Sequence, residues 1–202
     1  MAFPDRLKLP LAFDPQRLAA DLSALEAAPW TPHFVRQNYD GDWSVIPLRA
    51  TKGSAGMHPV RQIYSDPTAT EFEDTPFLAL CPYFREAIGA FGPATRCVRL
   101  MRLAPGSVIK EHADPDLSAE DGAARIHVPI ATNADVVFEV NRRPVDMAPG
   151  EAWYLRLSDP HRVANRGTTD RIHLVIDIAV DAPLERLLEQ AMAQAADLHH
   201  PV

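Results

Sequence analysis

Cysteine is nearly absent from these 202 residues: Cys81 and Cys97 are the whole complement, and no C-x-x-C spacing occurs. Two thiols cannot build a disulfide framework, and they fall short of the thiolate set of a closed structural zinc site. Both read as small core residues. Glycine is scarce too, nine against nineteen prolines, a balance that favours turns and strand ends over long helices. Basic charge is not in excess. A net charge of −7 argues against general affinity for nucleic acid or anionic membranes, while leaving room for a small basic pocket. No apolar run approaches membrane-spanning length, and the opening MAFPDRLKLPLAF lacks the apolar region of a signal peptide. The expected location is a reducing cytoplasm. What is present, 47% apolar and 23% charged residues, suits one domain, 1–202, with a sizeable core.

Three regions are expected within it. Residues 1–94 read as helices and strands that support a central barrel. Leu7, Leu9, Leu11 and Phe13 alternate with other residues as in a strand. Asp14 is placed to cap a helix with Pro15 in its first turn, running to about residue 28. WSVIPLRA (43–50) and VRQIYS (60–65) read as strands, and Thr75-Pro76 opens a helical stretch to about residue 92, broken at Pro82. From 95 to 181 the texture changes to short β segments: 95–103, 107–113, 124–131, 135–141, 145–148, 152–157, 161–165 and 171–180. Eight short strands at this spacing predict a mainly β chain, a double-stranded β-helix (jelly roll, cupin-like) with flanking N-terminal and C-terminal helices. Residues 182–202 read as the last helix, packed outside one sheet through Leu184, Leu187, Leu188 and Ala191. His199 and His200 read as its frayed end.

Four residues carry the chemistry: His112, Asp114, His161 and Arg171. His-x-Asp with a distant His is the ligand pattern of a facial two-histidine, one-carboxylate Fe(II) site. On a strand, His112 and Asp114 share a face, so one short segment supplies two adjacent ligands. Three protein ligands leave three positions open for a co-substrate and O2. The same pattern also describes a surface His and Asp beside Pro115. Strands 124–131 and 171–180 add a second pattern. Arg125 and His127 share one face, as do Arg171 and His173, while Ile126, Val128 and Ile130, or Ile172, Leu174, Ile176 and Ile178, share the other. The polar pairs belong either to solvent or to the mouth of a barrel, where guanidinium can grip a carboxylate in two-point fashion. Other residues carry less. Arg99 or Arg102 could meet a substrate carboxylate or simply be surface charge. Trp43 and Trp153 read as core or pocket lining, and His33 and His58 as loop residues.

The runs RIHVPIATNADVVFEVN and APGEAWYLRLSDPHRVANRGTTDRIHLVIDIAV resemble the aspartyl/asparaginyl β-hydroxylase family of Fe(II)/2-oxoglutarate oxygenases. The branch they resemble contains bacterial proline cis-hydroxylases acting on the free amino acid. The similarity covers about residues 95–181 and is less clear before them. It implies that His112, Asp114 and His161 hold Fe(II). It further implies that Arg171 holds the distal carboxylate of 2-oxoglutarate with His127 as a neighbouring donor, and that Arg125 contacts an acidic group of co-substrate or substrate. Peptide-directed members carry glycine where this chain has Asp114 and a serine where it has Met101. Both departures favour the small-amino-acid branch. The expected function is therefore a 2-oxoglutarate-dependent hydroxylase, a dioxygenase using Fe(II), 2-oxoglutarate and O2 on a small amino acid or related carboxylate, proline-like. The alternatives are a peptidyl aspartyl/asparaginyl β-hydroxylase, a non-catalytic cupin-like binding protein, or an iron enzyme working without 2-oxoglutarate. The substrate's identity, the regio- and stereochemistry and the oligomeric state are not written in these residues.

Overall fold

The computed structural model describes residues 2–55 and 57–197; His199 and His200 lie outside the described residues. Among the described residues thirteen strands and four α-helices follow one another. The N-terminal part holds β1 (Arg6–Ala12), α1 (Pro15–Ala24), β2 (Thr31–Pro32), β3 (Tyr39–Asp40), β4 (Trp43–Thr51), α2 (Pro59–Ile63), β5 (Phe72–Asp74) and α3 (Pro82–Gly89). The remainder is β6 (Thr95–Leu103), β7 (Val108–His112), β8 (Ala123–Ala131), β9 (Val136–Val140), β10 (Arg143–Pro144), β11 (Glu151–Leu155), β12 (His161–Asn165), β13 (Arg171–Ala179) and α4 (Ala182–Asp197). Among the described residues no helix is long and apolar enough to cross a membrane.

The strands form two antiparallel sheets facing one another, the arrangement of a jelly roll. The larger runs β1-β11-β8-β13-β6-β4-β2, with β5 also on β4; the smaller runs β10-β9-β12-β7-β3. Between them lies one apolar cluster, with Val45, Met101, Leu103 and Val175 from the larger sheet against Ile109, Phe138, Val140 and Val163 from the smaller. A second cluster covers the outer face of the larger sheet. There Ile126, Val128, Leu174 and Ile176 pack under Leu18 of α1, Phe84 of α3, and Leu184 and Leu188 of α4. This explains why the aliphatic and the polar faces of β8 and β13 are both buried. The aliphatic residues face the helices, and Arg171, His173, Arg125 and His127 point into the space between the sheets, not into solvent. Cys81 and Cys97 are buried, as expected of small core residues.

Local chemistry fixes several boundaries differently from the periodicity. Residues 60–65 are not a strand: His58 accepts a hydrogen bond from the Val60 amide and Pro59 occupies the first turn, so the segment enters α2. The helical stretch after Thr75-Pro76 does divide at Pro82: a 3-10 turn over Leu78–Leu80 ends before it, and Pro82 starts α3, where its missing N–H costs nothing in a first turn. The helix from Pro15 stops at Ala24, four residues short of expectation. No strand covers 145–148; the pairing residues are Arg143 and Pro144, and Val145 is buried behind them. The P-G-E-x-W run makes a structural turn. Gly150 has φ +84°, and a Cβ there would sit 2.2 Å from the Phe13 carbonyl oxygen. Glu151 then accepts from the Ala148 amide and from Trp153 Nε1, each at 2.9 Å.

Candidate metal centre

His112 is the last residue of β7 and His161 the first of β12, and the two are direct cross-strand partners. Asp114 is not on the strand, as H-x-D alternation suggests, but in the turn just beyond it. Its amide donates to the Leu157 carbonyl at 2.8 Å, which ties the turn to the connection between β11 and β12. The three residues come together: one donor atom from each lies within 4.8 Å of the others, and the imidazole centroids are 4.3 Å apart. Asp114 Oδ1 is 3.9 Å from His112 Nε2.

Both imidazoles are oriented by the backbone. His112 Nδ1 lies 2.7 Å from the Lys110 carbonyl, and His161 Nδ1 3.0 Å from the Asp159 carbonyl. A carbonyl only accepts, so each Nδ1 carries the hydrogen and each Nε2 keeps its lone pair for a cation. Burial pushes the His161 pKa down to about 4, so that ring is neutral, as a ligand must be. Two imidazole nitrogens and one carboxylate oxygen, with no thiolate, suit a divalent transition metal with open positions.

Deeper between the sheets a 40 Å³ space is lined by His112, Asp114, His161, Arg125, His127 and Arg171. Arg171 is 2% exposed and has no carboxylate partner among the described residues. One Nη donates to His173 Nδ1 at 2.9 Å, Nε is unpaired, and burial lowers its pKa to about 9. Both ring nitrogens of His127 are likewise buried without a partner. Burial, then the Arg171 charge, holds His127 and His173 well below the usual histidine range. A buried cation and idle donors, unsatisfied inside a protein, fit an anionic ligand that supplies the missing acceptors. Arg125 sits on two of the chain's own carboxylates, donating to Asp114 Oδ2 at 3.0 Å and to Asp177.

On the other side of the triad opens a cavity of 320 Å³. Trp43, His33, Phe34 and Tyr64 form its aromatic wall, and Arg99, Arg125 and Asp177 its charged end. His33 stacks on Trp43 at 3.6 Å, and burial and then the Arg99 charge push its pKa down to about 3. His58 is elsewhere, capping α2. Arg102 bonds Asp42 and Ser44 outside the cavity, and Trp153 is bound to Glu151. Asp177 and Ser65 were not among the sequence candidates. Asp177 had a signal, because alternation along β13 puts it on the face of Arg171 and His173. Ser65, in a segment that reads as a strand, had none.

The family model described as aspartyl/asparaginyl beta-hydroxylase matches residues 14–180. The chain belongs to this family. Two curated relatives are similar along most of it. The L-proline cis-4-hydroxylase of Rhizobium meliloti (strain 1021) is 29% identical over 178 residues, 87% of this chain and 61% of the relative. The L-proline cis-3-hydroxylase 2 of a Streptomyces species is 25% identical over 194 residues, 95% of this chain and 64% of the relative. The chain thus spans less than two thirds of either relative's length. In fold it is similar to a prolyl-4-hydroxylase of Pseudomonas putida, with a TM-score of 0.51 at 11% identity over 88% of this chain and 94% of that one. A 2OG-Fe(II) oxygenase-family oxidoreductase of Burkholderia pseudomallei gives 0.50 at 18% identity over 80% and 78%. The family match covers β6 to β13 and also α1 and β2 to β5, in the part whose sequence resemblance is less clear.

Proposed function

We propose that this family member is an Fe(II)/2-oxoglutarate-dependent hydroxylase of a small, proline-like amino acid, with Fe(II) held by His112, Asp114 and His161. The observation that carries the proposal is an open three-donor set beside a buried guanidinium that has no carboxylate partner among the described residues. His112 Nε2, His161 Nε2 and Asp114 Oδ1 would bind the metal. Arg171 would hold the distal carboxylate of 2-oxoglutarate, and His127 lies beside that path as a donor. Bound iron with 2-oxoglutarate and O2 supplies the oxidising power to hydroxylate an unactivated C–H, releasing succinate and CO2. The protein's own part is positioning and exclusion. The carbonyls of Lys110 and Asp159 keep both Nε2 atoms free, Phe138 and Trp43 wall off water, and the 320 Å³ cavity admits the substrate beside Asp114. Asp114 itself speaks for the amino-acid branch, since the resemblance gives glycine at its place in peptide-directed members. The names of the two proline hydroxylase relatives support the same substrate class. The reading places the enzyme in the cytoplasm, where Cys81 and Cys97 stay reduced.

Anaerobic addition of Fe(II) and then 2-oxoglutarate should produce a weak visible charge-transfer band. Succinate release should follow when free proline and air are added. A band with no amino acid stimulating turnover overturns the substrate; no band, and no Fe(II)-dependent O2 uptake, overturns the enzyme in favour of a non-catalytic jelly roll. Stimulation by an Asp-containing peptide alone would favour peptidyl hydroxylation.

A further inference from the structure

We infer that Asp177 is a positioning residue for the metal site, acting through Arg125 on the oxygen of Asp114 that does not face the two histidines. This rests on the metal-binding role proposed above for His112, Asp114 and His161.

The two oxygens of Asp114 have different surroundings. Oδ1 looks toward His112 Nε2, while Oδ2 accepts from Arg125 Nη1 at 3.0 Å. A carboxylate tethered by one oxygen presents the other to a cation in a fixed direction. Arg125 can do this only if its own plane is fixed, and Asp177 fixes it. Arg125 Nε donates to Asp177 Oδ1 at 2.6 Å and Nη2 to Oδ2 at 3.2 Å, a fork-on-fork pair that leaves Nη1 aimed at Asp114. Asp177 is held in turn by the Arg99 guanidinium and by the Ser65 hydroxyl at 2.6 Å. Arg99 is anchored on the Ile63 carbonyl at 2.9 Å.

Charge makes the arrangement directional. Arg99, Asp177, Arg125 and Asp114 alternate in sign, with Asp177 shared between the two guanidiniums. Burial works against the Asp177 charge, but Arg125 and then Arg99 overcome it and hold its pKa far below the usual carboxylate value. Neutralising Asp177 would leave Arg125 with Asp114 as its remaining carboxylate partner, and the guanidinium would then compete with the metal for it.

The test is Mn(II) binding to the whole protein by calorimetry, at a temperature where far-ultraviolet circular dichroism shows each variant folded. Asp177→Asn should weaken Mn(II) binding by about 10- to 100-fold, and Asp177→Glu, which keeps the charge, should recover part of the loss. Arg125→Lys, which keeps charge but lacks the fork, should weaken it similarly; it decides the matter if Asp177→Asn does not fold. Gly150→Ala, a destabilised variant remote from the site, should bind Mn(II) like the wild type, which separates positioning from general loosening. Folded Asp177→Asn or Arg125→Lys binding within twofold of wild type, with His112→Ala abolishing binding, would overturn the inference and leave the proposed metal site standing. If His112→Ala binds as well as wild type, the metal site falls and the inference with it.

Discussion

Replacing Arg171 by Met should make the ligand-free protein more stable and the enzyme inactive. The guanidinium is buried with no carboxylate beside it among the described residues, and its pKa falls from 12.5 to about 9. At 1.36 kcal/mol per unit, that drop measures about 5 kcal/mol of unfavourable charge burial. Met fills a similar volume without charge. It leaves His173 Nδ1 without its donor, which costs about 1–3 kcal/mol. A net gain of about 2–4 kcal/mol remains, worth roughly 4–16 °C in a chain of this size. Loss of the paired charge-assisted bonds should weaken 2-oxoglutarate binding by at least about 100-fold. The assay is thermal unfolding with Mn(II), with and without millimolar 2-oxoglutarate. Wild type should start lower and rise with 2-oxoglutarate; Arg171→Met should start higher and stay there. A variant that melts lower than wild type without ligand, or still rises with 2-oxoglutarate, would refute the electrostatic account of this residue.

Acid should destabilise the metal-free fold steeply, because His33, His127, His161 and His173 all have lowered pKa values, about 3 and 4 for His33 and His161. The unfolded chain takes up protons below about pH 6.5 that the folded chain refuses, so stability falls with pH from there down. Each histidine contributes up to about 1.36 kcal/mol per pH unit and four approach about 5; urea titrations between pH 7 and 5 with a flat midpoint would contradict this. Asp114→Asn keeps the shape but not the charge, and Mn(II) affinity should fall at least about 100-fold by calorimetry, whereas near-normal binding would remove Asp114 from the ligand set. Gly150→Ala must take φ +84° and push its Cβ against the Phe13 carbonyl, so denaturant unfolding should show a loss of about 2 kcal/mol or more, and a neutral result would mean the turn relaxes freely.

How much of the fold and site was legible in the sequence depended on range. Alternation along β8 and β13 is a local property, and it placed Arg125, His127, Arg171 and His173 on shared faces correctly. It could not tell that neither face meets water, because that depends on α1, α3 and α4 packing across the larger sheet from distant parts of the chain. The expectation of a jelly roll came from strand count and spacing, and two facing sheets are found. VRQIYS looked like a strand because Val60 and Ile63 are β-formers, yet the His58 cap and Pro59 turned it into helix. That error hid Ser65 and the anchor of Arg99. Asp177 is a different case: alternation along β13 puts it on the face of Arg171 and His173, but its role as an anchor emerges only where Arg99 and Arg125, from two other strands, converge on it.

The larger sheet, covered on both sides, separates two jobs by parity of residue number. On β13 the even positions, Ile172, Leu174, Ile176 and Ile178, hold the scaffold to its helices, while Arg171, His173 and Asp177 at odd positions furnish the lumen. Libraries confined to odd positions could therefore redraw what the lumen accepts while the even-numbered half of the strand keeps the frame upright.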